Sequence, residues 1–184
     1  MLKKVSIVIP LVLLLAGCTT CRGVATKSAE GEGEPPVILD SYAAEYIRPG
    51  ATWRVYLKTE DADGDMHYIA AQLWQAGVGY YPTSFTFIKG GDREGFAGYL
   101  ILTTPADRRL LPDNFKLEVL LRDCEGNKSE SLYIPLNFAL KTKFRTQPVP
   151  EKWQAAAQRQ LGIIHLDIIS SEAYNSNDGS RPFF

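Results

Sequence analysis

The chain has 184 residues, 45% of them hydrophobic, and its 20 basic and 21 acidic side chains leave a net charge of −1. That balance excludes the basic footprint by which proteins hold nucleic acid or an anionic lipid surface. The length fits one domain with extensions.

The first element reads as an export signal. Lys3 and Lys4 precede an apolar run over residues 5–15, and at about 11 residues that run is too short to span a bilayer, which takes about 20. It ends in Leu15-Ala16-Gly17-Cys18, which resembles the bacterial lipobox at all four positions. The resemblance implies diacylglycerol transfer to the Cys18 sulfur, removal of residues 1–17 and acylation of the new amine. An ordinary cleaved signal and an uncleaved anchor are the alternatives. Acyl chains contribute about 0.8 kcal/mol per buried methylene, so two or three of them make a lasting membrane tether. Thr19 stands where an Asp would favour inner-membrane retention in enteric bacteria, so the resemblance places the protein at the outer membrane of a cell envelope.

Residues 18–36 are small and polar, ending Glu30-Gly-Glu-Gly-Glu-Pro-Pro36. With too little apolar surface to offset ordering, they read as a disordered, lipidated tether. Cys21 lies in this segment and Cys124 far downstream. An oxidising compartment permits the two to pair, and a simply buried Cys124 is the alternative.

From residue 37 to 138 the hydrophobic pattern has period two. Trp53, Val55 and Leu57 alternate with Arg54, Tyr56 and Lys58. Phe115, Leu117, Val119 and Leu121 alternate with Lys116, Glu118 and Arg122, and Leu132, Ile134, Leu136 and Phe138 repeat the pattern. Pro135 cannot donate to a ladder, which puts that last strand at an edge. Strands are predicted over 37–41, 52–59, 67–75, 83–89, 96–103, 115–123 and 131–138. About seven short strands at this spacing indicate an all-β antiparallel sandwich.

Two turns sharpen the assignment. Leu57-Lys-Thr-Glu-Asp-Ala-Asp-Gly-Asp-Met66 and Val119-Leu-Leu-Arg-Asp-Cys-Glu-Gly-Asn127 are similar to the acidic turns of cadherin-like and fibronectin-III-like bacterial surface modules. The resemblance covers residues 37–138 and implies an immunoglobulin-like β-sandwich. It also implies that Asp61, Asp63, Asp65 and Asp123 meet at one end, where they would bind calcium weakly. A solvated turn is the competing reading of the same residues. An EF-hand is excluded, because Gly64 falls at the fourth loop position and Gln72 at the twelfth.

Residues 139–184 form a C-terminal extension. Pro and Gly punctuation predicts a short helix over about 150–161, with Trp153, Ala156, Ala157 and Leu161 on one face. Residues 163–169 fit an added strand or a helix continuation, and a polar disordered tail is expected from about 170.

Chemistry is sparse in this sequence. His67 and His165 have no Cys or carboxylate at metal-ligand spacing, and no nucleophile elbow, P-loop or dinucleotide fingerprint occurs. No enzyme activity and no cofactor beyond weak calcium are expected. Trp74, Tyr80 and Tyr81 sit in a glycine-rich connection, where they either bind a partner or cap the core. The expected role is a membrane-anchored, non-catalytic binding or structural module whose partner is an envelope protein or glycan. The alternative is an accessory subunit that docks on an envelope assembly through its C-terminal extension.

Overall fold

A computed structural model of the chain describes residues 33–140 and 148–176. The lipobox, Cys18 and Cys21 lie outside them. Among the described residues no helix is long and apolar enough to cross a membrane.

Period-two segments build two sheets. The first contains β1 (Val37–Ala43), β3 (Thr52–Glu60), β7 (Gly95–Thr103) and β10 (Gln160–Ile163), in that spatial order. β3 and β7 pair antiparallel along their whole length, so Trp53 stands beside Leu102 and Val55 beside Leu100 on the inner face. The second sheet runs β2 (Tyr46–Ile47), β9 (Leu132–Phe138), β8 (Asn114–Asp123), β4 (Met66–Gln75), with β5 (Gly79–Tyr80) and β6 (Ser84–Phe87) both pairing β4. Here Ile69 neighbours Leu121, Ala71 neighbours Val119 and Leu73 neighbours Leu117. The two inner faces close on one core that also takes in Met66, Phe96, Phe115, Ile134, Leu136 and Phe138.

Strand order identifies the fold. The first, third and seventh strands form one sheet, the ninth, eighth and fourth form the other, and the short β2 runs parallel to β9. This is the immunoglobulin-like arrangement of two Greek-key sheets. All seven predicted strands are present, with β2, β5 and β10 in addition. β2 reaches β9 only at Asn137 and Phe138, so Pro135 lies on an otherwise open edge, where its missing N–H costs no ladder bond.

The C-terminal extension departs from expectation. In place of a helix over about 150–161 there are two 3₁₀ turns, Glu151–Trp153 and Ala156–Gln158, followed directly by β10. β10 pairs parallel with β7 and fills the slot beside it that a fourth strand occupies in immunoglobulin sheets. Residues 148–157 lie across the outer face of the first sheet. There Trp153 and Ala156 bury Tyr56 against Tyr42 and Tyr99, which is why Tyr56 is buried although it alternates with the core residues. Gly98 permits this close crossing, since a Cβ there would stand 2.8 Å from the Arg159 carbonyl oxygen and from Leu161. The polar tail expected from about 170 is likewise ordered up to residue 176. Ile164 and Ile168 enter the core, Ser170 is buried, and α1 (Ser171–Ser176) follows.

Candidate functional site

The outer face of the second sheet carries an exposed aromatic surface. Outward positions on β4 and β6 place Phe87 beside Tyr68 and Phe85 beside Ala70. Their inward neighbours are polar: Ser84 is 8% exposed, whereas Phe85 and Phe87 are 52% and 66% exposed. Tyr68 meets Phe85 edge-on at 90° and Phe87 at 71°, and His67 lies 5.5 Å from the Phe87 ring. The Arg122 guanidinium donates to the Tyr68 hydroxyl at 3.2 Å. Burial is the main cause that lowers the His67 pKa, helped by the charges of Arg93 and Arg122.

A second group lies further along the same face. Trp74 neighbours Lys116 on β8 and Tyr80 on β5. The Lys116 ammonium stands 5.9 Å from the Trp74 ring and 4.9 Å from the Tyr133 ring, holding a cation between two aromatic faces. Tyr80 and Tyr133 are mostly exposed. Sequence reasoning singled out Trp74 and Tyr80 but not Tyr68, Phe85, Phe87 or Tyr133. The Ser-Phe-Thr-Phe alternation of β6 was the available signal, and it lacks a sign, since period two says which residues share a face and not which face is wet.

Tyr81 points the other way. It is 9% exposed, and its hydroxyl donates to Gln75 Oε1 at 2.5 Å and accepts the Ile169 N–H at 3.2 Å. Gln75 Nε2 in turn donates to Asp113 Oδ2 and to the Ile169 carbonyl, and Asp113 accepts the Ser171 N–H. This buried network stitches the C-terminal segment to β4. Burial, chiefly, raises the Tyr81 pKa, and the Asp113 charge adds to it. Tyr81→Phe would leave Gln75 Oε1 and the Ile169 N–H without this partner, so urea denaturation should show a loss of about 1–3 kcal/mol.

The acidic turns occupy one end of the sandwich. Met66, at the start of β4, pairs with Asp123 at the end of β8, and the Cys124 N–H donates to the Asp65 carbonyl at 3.2 Å. The β3–β4 and β8–β9 turns therefore adjoin. Asp123 uses Oδ1 to accept the Gly126 and Asn127 N–H groups, and Asp61 uses Oδ1 to accept the Asp63 N–H. The other oxygen of each is buried without a hydrogen-bond partner, as is Asp65 Oδ1. Asp61 is 4% exposed and Asp123 2%, whereas Asp63 lies at the surface. Among the described residues no three His, Cys, Asp or Glu side chains already stand in metal-holding geometry.

Cys124 sits on the same turn and is disulfide-bonded; the pairing with Cys21 expected from the sequence falls on a residue outside the described ones. Arg93 reaches the turn as well, its Nη1 3.7 Å from Cys124 Sγ.

Burial first, then the charges of Asp123 and Asp61, push the Asp65 pKa up to about 6. Asp61 is raised by burial in the same direction. With unfolded values near 3.8, these two carboxyls bind more protons in the folded protein than in the unfolded chain between about pH 4 and 6, so their contribution to stability falls as pH rises through that window, while the lowered pKa of His67 acts in the opposite direction. Asp65→Asn removes the larger of these contributions, so Tm of the variant should gain on that of the wild type as pH rises from about 4.5 to 6.5.

No known protein family matches the chain, and no curated protein matches it. Among solved structures it is similar to the PKD domain of an M14-like peptidase from Thermoplasmatales archaeon SCGC AB-540-F20, at 16% identity and a TM-score of 0.39 over 59% of this chain and 99% of that one. It is also similar to a CARDB domain from Pyrococcus furiosus, solved in complex with di-metal ions, at 7% identity and a TM-score of 0.34 over 62% of this chain and 100% of that one. A human seminal-plasma complex of zinc 2-glycoprotein and prolactin inducible protein gives 8% identity and a TM-score of 0.34, over 59% of this chain and 99% of that one. These likenesses are distant, and the fold assignment rests on strand order.

Proposed function

We propose that this protein is a lipid-anchored, non-catalytic binding module of a bacterial cell envelope, held at the outer membrane through Cys18 and presenting the aromatic face of its second sheet to a protein partner. The observation that carries the reading is the row of exposed rings at Phe85, Phe87, Tyr80 and Tyr133, on a face that the protein leaves uncovered at a cost in apolar exposure. Aromatic side chains with neighbouring cations are the groups that dominate protein–protein hot spots. Glycan stacking would want flatter ground, and the 90° and 71° tilts of Phe85 and Phe87 against Tyr68 break any planar platform. The proposal includes weak calcium binding at the acidic end, supported by the buried carboxylate oxygens of Asp61 and Asp123 that lack partners.

Docking through the C-terminal extension has less to draw on, because Trp153, Ala156, Ile164 and Ile168 are all buried within this protein. Crosslinked pull-down from native membranes with the intact chain tests the reading. A protein captured by the wild type and lost on serine substitution at Phe85 and Phe87 supports it. Capture that survives those changes overturns the assignment of the face, and enrichment of a polysaccharide fraction in place of protein overturns the partner class.

A further inference from the structure

β6 is hydrogen-bonded on one side only. It pairs antiparallel with β4, and the Ile88 N–H just beyond it donates to the His67 carbonyl at 2.8 Å. Antiparallel bonding recurs at every second residue, so Thr86 and Ser84 also turn their backbone groups to β4. The N–H and C=O groups of Phe85 and Phe87 therefore point the other way, toward β10, with which β6 forms no ladder. Two other open edges are blunted. On β9 the Asn137 N–H faces β2, so the position two residues earlier also faces outward, and there Pro135 has no N–H to offer. On β1 the register breaks between Ile38 and Asp40. Proline and bulges are the means by which proteins guard exposed edges, and β6 has neither.

Beside this edge the two sheets part. The seam is closed at one end, where the His165 N–H donates to Ser84 Oγ at 3.1 Å and Gly162 abuts the Thr86 side chain, 2.5 Å from where its Cβ would stand. Past Thr86 it opens into a cleft of about 260 Å³ between the end of β6 and the start of β10. Ile69, Phe96 and Leu161 line the cleft, and Lys89, Asp92 and Arg159 border it. Arg159 is paired with Asp92, whereas the exposed Lys89 forms no ion pair among the described residues. Small-molecule pockets run to about 300–1,000 Å³. This one suits a side chain or two, and its border leaves one positive charge to be matched.

We propose that the partner of the aromatic face docks as an extended strand beside β6, bonded main chain to main chain at Phe85 and Phe87. This rests on the reading of that face as a docking surface and specifies how the partner is held. Side chains of an added strand alternate between its two sides. The outward set stands beside the Phe85 and Phe87 rings and brings a carboxylate to Lys89, while the inward set places an apolar residue in the cleft. The partner segment therefore alternates acidic with apolar residues. Main-chain bonds give such pairing its affinity and the alternate side chains its specificity.

The test uses the full chain in non-ionic detergent and, as probe, a short peptide of alternating glutamate and leucine blocked at both ends. Amide exchange is followed by NMR. On adding peptide, exchange at Phe87 should slow at least about tenfold, while Thr86 and Ile88, already bonded to β4, should not change. A peptide with lysine for glutamate should bind at least about tenfold more weakly, and Lys89→Glu should remove that preference. Phe87→Pro and Phe87→Ser both lose the ring, but only proline also loses the outward N–H, so the proline variant should bind at least about tenfold more weakly than the serine one. Peptide binding with unchanged exchange at Phe87 and equal affinity of the two variants would overturn the strand and leave the aromatic face standing. No binding at about 1 mM peptide would overturn the strand as well, and loss of membrane capture on serine substitution would still report on the face. Protection of Phe87 that grows with protein concentration in the absence of peptide would replace the partner segment with a second copy of this chain, and so overturn the proposal.

Discussion

Trp153→Ala should destabilise the fold by about 3–5 kcal/mol, the usual cost of truncating a buried Trp, read as a fall in the urea midpoint. The indole is 2% exposed and lies on the outer face of the first sheet, its ring 5.8 Å from that of Tyr56, which in turn stands 5.9 Å from Tyr42 and 5.5 Å from Tyr99. Truncation would open a cavity between sheet and extension and uncover Tyr56. Trp153→Phe separates packing from hydrogen bonding. The indole N–H and the Tyr56 hydroxyl are buried without partners, so phenylalanine forfeits no hydrogen bond, and the substitution should cost under about 1.5 kcal/mol. An alanine variant with an unchanged midpoint would show that residues 148–157 lie outside the cooperative unit.

Serine at Phe85 and Phe87 should have the opposite profile. Both rings are more than half exposed, and losing their edge contacts with Tyr68 should cost at most about 1 kcal/mol of stability each. Affinity for the captured partner should fall at least about thirty-fold, corresponding to the 2 kcal/mol that defines a hot spot. Tyr81→Phe provides the crossed control, since it weakens the fold from within and leaves the aromatic face intact. Parallel measurements of urea midpoint and binding therefore distinguish a docking surface from a structural one. A binding loss that simply tracks stability in all three variants would remove the case for the face.

The β-sandwich was legible because antiparallel strands with one wet face leave a two-residue beat. β8 and β9 show it without interruption, and their observed bounds, Asn114–Asp123 and Leu132–Phe138, differ from the predicted ones by at most a residue at each end. The extension was misread for a physical reason. Gln154-Ala-Ala-Ala-Gln-Arg-Gln160 has strong helix propensity, but burying Trp153 and Ala156 on a flat sheet and then feeding β10 alongside β7 takes up the residues a helix would need. Tertiary packing outweighs a preference of a few tenths of a kcal/mol per residue. The site was half legible. Asp61, Asp65 and Asp123 announced themselves by composition, but the partnership of Asp63 and Glu125 with Gly33 and Glu34 joins positions up to 92 residues apart, beyond the reach of any local pattern. Tyr80 and Tyr81 are adjacent and look alike in sequence. The turn through Gly77 and Gly79, both at positive φ, sends one to solvent and the other into the core.

The parallel seam between β7 and β10 has a bearing on timing. The first sheet is completed by Gln160–Ile163 and the core by Ile164 and Ile168, all contributed by a stretch that leaves the ribosome after every other strand. Contacts between such distant segments form slowly, because the closure entropy comes before the reward. The first sheet therefore acquires its full rigidity only when this last stretch has docked beside β7.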